Sequence, residues 1–65
     1  MTEIAVLEHL GSKLDEQIRK NAEALVGGGV VDFPTYRELC GVIRGLQTAQ
    51  LELGDLVRIL KANHD

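Results

Sequence analysis

The chain has 65 residues, seven Lys and Arg against ten Asp and Glu, one cysteine, and an apolar content of 45% that includes only two aromatic residues, Phe33 and Tyr36. A formal charge of −3 argues against a protein that holds nucleic acid by neutralising phosphates. A single Cys40 cannot staple a chain too short to bury more than about 60% of its unfolded surface, so the missing stability has to come from assembly or docking. No basic region followed by an apolar run marks a secretory signal, and no apolar stretch reaches the roughly 20 residues that span a bilayer, so the chain reads as soluble and intracellular.

Residues 2 to 26 carry Ile4, Leu7, Leu14, Ile18 and Leu25 at spacings of three, four or seven, with charged residues largely between them. This predicts an amphipathic helix that Thr2 can cap. Gly11-Ser12 interrupts the pattern, and Ser12 followed by Asp15 resembles a second N-cap, so a kink or break at that point is one expectation. Residues 27 to 33 then form a loop: Gly27-Gly28-Gly29 is costly inside a helix and well suited to closing one. The run lacks the strand-to-helix context and the Lys-Ser/Thr pair of a phosphate-binding loop.

A second, longer helix is predicted over residues 34 to 62. Pro34 suits a first turn and is expected to push Phe33 out of the helical region, while Asp32 or Thr35 can cap, Thr35-x-x-Glu38 being a capping-box pattern. Leu39, Leu46, Leu53 and Leu60 recur every seven residues, and Val42, Ala49 and Leu56 follow three later, which reads as the two apolar lines of a heptad. At about 1.5 Å per residue this helix is about 43 Å long, and it needs something long to lie against. The expected fold is therefore all-α: a single domain, residues 1 to 65, folded as an antiparallel two-helix hairpin with a long second helix and completed by oligomerisation or by docking on a partner.

The expected partner surface collects what one seam cannot cover. Ile43, Leu51, Val57 and Ile59 lie beside or away from the heptad line, and Val30, Val31, Phe33 and Tyr36 add apolar groups at the loop end. Gly41 and Gly45, four apart, each cost roughly 1 kcal/mol relative to Ala inside a helix, so they are expected to let a backbone come close, that of the first helix or of a partner. Arg37 and Arg44 beside them can receive a partner's carboxylates. The candidate partner-binding residues are thus Phe33, Tyr36, Arg37, Gly41, Arg44, Gly45, Leu51 and Ile59.

No catalytic, cofactor-binding or metal-binding set is predicted. Cys40 reads as a small packing residue, and neither His9 nor His64 has a His or Cys three or four residues on. The acidic pairs Asp15-Glu16 and Glu52/Asp55 read as solvated helix faces.

Residues 32 to 60, "DFPTYRELCGVIRGLQTAQLELGDLVRIL", resemble a pattern of small helical proteins of tailed bacteriophages, with Asp32, Phe33, Tyr36, Arg37, Gly41, Ile43, Gly45, Leu46, Ala49, Asp55 and Leu56 at the matching positions. The resemblance implies a non-enzymatic virion component, a minor head, decoration or head–tail junction protein that docks on a capsid, portal or neck protein, located in the virion and in the host cytoplasm before assembly. A small helical regulatory or adaptor protein that binds a partner enzyme is the alternative.

Overall fold

A computed structural model describes residues 2–29 and 32–63 and contains two α-helices, α1 (Glu3–Val26) and α2 (Phe33–Ala62), packed along each other as an antiparallel hairpin. The hairpin fold expected from the heptad spacing is what forms. Val30, Val31 and His64, which entered the reading of the sequence, lie outside the described residues.

Each helix end has a local cause. Thr2 is extended and stands just outside α1, not inside it, with its Oγ1 accepting from the Ala5 N–H at 3.1 Å. At the other end the Gly27 N–H donates to the Glu23 carbonyl at 2.8 Å, and Gly28 at φ 76° turns the chain out of the helix. Asp32 caps α2: its carboxylate accepts from the Thr35 N–H at 3.0 Å and from the Thr35 hydroxyl at 2.9 Å. Thr35 is therefore spent inside the first turn, and the Thr35–Glu38 capping box does not set the boundary. Phe33 is the first residue of α2, contrary to its expected place in the loop, because the cap at Asp32 fixes the start one residue before it.

The break expected at Gly11-Ser12 does not occur; α1 runs through it. Ser12 instead donates its hydroxyl to the Glu8 carbonyl at 3.3 Å, one turn back within the same helix. Gly11 sits in the seam against α2, where a Cβ would stand 3.5 Å from Leu53 Cδ2, an ordinary contact.

Half-buried at seam spacing are Ile4, Leu7, Gly11, Leu14, Ile18, Asn21 and Leu25 of α1 and Leu39, Ile43, Leu46, Gln50, Leu53, Val57 and Leu60 of α2; Ala5, Glu16, Ala22 and Cys40 are half-buried as well. This corrects the expected heptad. The leucine line is right, but its companion line is Ile43, Gln50 and Val57, four residues after each leucine, while Val42 and Leu56 are 42% and 46% exposed. The leucines have apolar neighbours on both flanks, and a single partner helix covers only one of them.

Candidate interaction surface

The two flanks of the seam differ in chemistry. On one, Lys61 Nζ of α2 reaches Glu8 Oε2 of α1 at 3.2 Å, and Gln50 Nε2 donates to Asp15 Oδ1 at 2.9 Å. These two cross-helix contacts mark a polar flank. Between them lies an open groove of about 600 Å³, lined by the polar Glu8, Ser12, Asp15 and Gln50 and also by Leu7, Leu51, Leu53 and Val57, with Gly11 and Gly54 among them. The missing side chains of Gly11 and Gly54 hollow it out: among the described residues, and apart from the adjoining residues and backbone of α2 itself, nothing lies within 4 Å of where a Gly54 Cβ would stand.

The opposite flank has an aliphatic column on α2 edged by charged residues. A helix advances 100° per residue, so positions seven apart align and positions three or four apart are neighbours. Val42, Ala49 and Leu56 therefore form one column of α2 beside the leucine line, with Gly45, Glu52 and Ile59 in the next column outward. On α1, Leu10 occupies the facing column and Val6 the next. All of these residues are exposed. The aliphatic surface is continuous along α2 at Val42, Ala49 and Leu56; on α1 it is confined to Val6 and Leu10, whose columns also carry Glu3, Gln17, Lys13 and Lys20.

The geometry of the whole chain says the same. Among the described residues none is buried, so the seam is a line of half-covered side chains and not a closed core. The molecule measures 51 × 18 × 12 Å with a radius of gyration of 15.1 Å, against about 11 Å for a compact 65-residue domain. Its accessible surface is 5022 Å², whereas a compact monomer of 7.1 kDa exposes about 4,100 Å².

The eight residues expected to bind a partner do not gather into one patch. Phe33 and Tyr36 stack at the loop end with ring centroids 6.2 Å apart and an interplanar angle of 17°, and the Arg37 guanidinium lies 6.0 Å from the Phe33 centroid. This small cluster is exposed, Phe33 at 67%. Arg37, Arg44 and Leu51 are spaced by seven and share a column on the polar side, whereas Gly45 and Ile59 share a column on the apolar side. Gly41 lies on the back of α2, turned away from α1.

Among the described residues, and apart from the adjoining residues and backbone of α2 itself, nothing lies within 4 Å of a Cβ built at Gly41 or at Gly45, so α1 is not the backbone that approaches them. The close contact with α1 falls at Gly11, which spacing alone marked as an interruption. The apolar flank was legible in Val42, Ala49 and Leu56, but those residues were assigned to the seam. Val6 and Leu10 were missed; their signal was an apolar pair four apart beside the seam line of α1.

Cys40 is half-buried next to the seam. Among the described residues no three His, Cys, Asp or Glu side chains come together as a metal ion would require, and no helix is long and apolar enough to cross a membrane. In comparisons with protein-family models, with curated proteins and with solved structures, nothing matches this chain.

Proposed function

We propose that this protein acts by docking and not by catalysis, as a non-enzymatic structural component of a tailed-phage particle: a minor head, decoration or head–tail junction protein seated on a capsid, portal or neck protein. The observation that carries the docking part is the uncovered aliphatic flank on a chain with no buried residue among those described. Apolar surface of this extent on so small a protein is stabilised by being covered. The particle setting is supported by the resemblance of residues 32 to 60, whose matched residues Gly45, Ala49 and Leu56 fall on that flank.

Quantitative mass spectrometry of purified particles tests it. A structural component is present at a fixed ratio to the capsid protein. Recovery only in the soluble host fraction, bound to an enzyme, would replace this reading with that of a helical adaptor.

A further inference from the structure

We propose that the apolar flank is covered by a second copy of this chain, giving a four-helix bundle whose twofold axis runs along the helices and in which α1 of each copy packs against α2 of the other. The inference rests on the docking reading and names a second copy as the chain that covers this flank. Solution mass reads the dimer and particle composition reads the virion role, so either can fail alone.

The area is the first argument. The hairpin exposes about 900 Å² more than a compact monomer of its mass, and a stable protein interface removes about 800 Å² from each partner. The excess is of the order that one standard interface covers. It also lies where a bundle requires it. On α2 the column of Val42, Ala49 and Leu56 stands about a quarter turn from the direction of α1, and in a square four-helix bundle each helix meets its second neighbour a quarter turn from its first.

Charge selects the arrangement. The outer column beside this flank carries Lys13 and Lys20 on α1 and Glu38 and Glu52 on α2. In the antiparallel hairpin Gly11 stands level with Leu53 and Asp15 with Gln50, which places Lys13 within about one residue of the level of Glu52, Val6 within about one of Ile59 and Leu10 within about two of Leu56. A twofold axis along the bundle preserves these levels between copies. Lys13 then faces Glu52 of the second copy, twice by symmetry, while Val6 meets Ile59 and Leu10 meets Leu56. The competing arrangement turns the second copy end over end, setting α1 against α1 and α2 against α2. It would bring Lys13 near Lys13 and Glu52 near Glu52, which like-charge repulsion disfavours. Within the described part of a single copy neither Lys13 nor Glu52 has an ion-pair partner.

The same geometry gives the polar flank a role. Glu8–Lys61 and Asp15–Gln50 occupy the side of the seam turned away from the second copy, so they remain in water, where such contacts cost no desolvation.

Sedimentation velocity of the full chain from about 1 to about 100 µM, at low salt, tests the proposal. The expected species is a dimer, twice the 7.1 kDa chain. Lys13→Glu should raise the dimer dissociation constant about tenfold, and so should Glu52→Lys. The double variant should return it to near the original value, because the pair is re-formed with its signs exchanged. Both side chains are exposed in the single hairpin, and circular dichroism confirms that each variant is helical. A chain that stays monomeric throughout this range overturns the proposal. A dimer whose double variant is as weak as the single variants overturns the arrangement.

Discussion

Replacing Gly11 with alanine should stabilise this protein, and replacing it with leucine should destabilise it. Gly11 lies in the interior of α1, where glycine costs about 0.8–1.0 kcal/mol relative to alanine because of the backbone freedom it loses. A glycine facing a packed neighbour is often retained because no methyl fits, but here the added Cβ would meet Leu53 Cδ2 at 3.5 Å, ordinary van der Waals contact. The methyl also removes apolar surface from water at a half-open position, worth at most about 0.8 kcal/mol for one buried carbon. The expected gain for Gly11→Ala is therefore about 1 to 1.5 kcal/mol, a rise in Tm of about 4–8 °C per kcal/mol for a domain of this size. Leucine at the same place carries three further carbons toward Leu53 and should cost about 1–3 kcal/mol through overpacking. Urea and thermal unfolding followed by far-ultraviolet ellipticity, at one matched protein concentration so that self-association contributes equally, gives both values. If Gly11→Ala is destabilising, the helices approach more closely at that level than the Gly11–Leu53 distance states, and the register drawn from it falls.

Two further substitutions read other parts of the argument. Asp32→Ala removes the acceptor of the Thr35 N–H and hydroxyl at the start of α2 and should cost about 1 kcal/mol in the same unfolding experiment; an unchanged midpoint would show that the loop, and not this cap, sets the helix boundary. Gly41→Ala, on the back of α2 with open space around it, should add up to about 1 kcal/mol of stability without altering dimer dissociation, and a weakened dimer in sedimentation would place Gly41 in the interface.

The sequence by itself determined the two helices, their ends to within a residue, the glycine turn and the antiparallel hairpin. Those features depend on local chemistry: Thr2 and Asp32 as caps, Gly27 and Gly28 at the close of α1, and leucines repeating every seven residues. Spacing gave the leucine line but not its companion, because Val42, Ala49 and Leu56 and the alternative Ile43, Gln50 and Val57 flank the same leucines on opposite sides. Only the position of α1 decides between them, and α1 half-covers Ile43 and Val57 while Gln50 reaches Asp15. The glycines followed the same logic. One-dimensional spacing marks where side chains are missing, whereas whether a neighbour fills the space depends on helix rotation, which places Gly11 against Leu53 and leaves Gly41 and Gly45 open. Tertiary structure therefore decided which apolar flank is left uncovered, and that choice, made by the rotation of one helix about its axis, sets where this protein can be met by another chain.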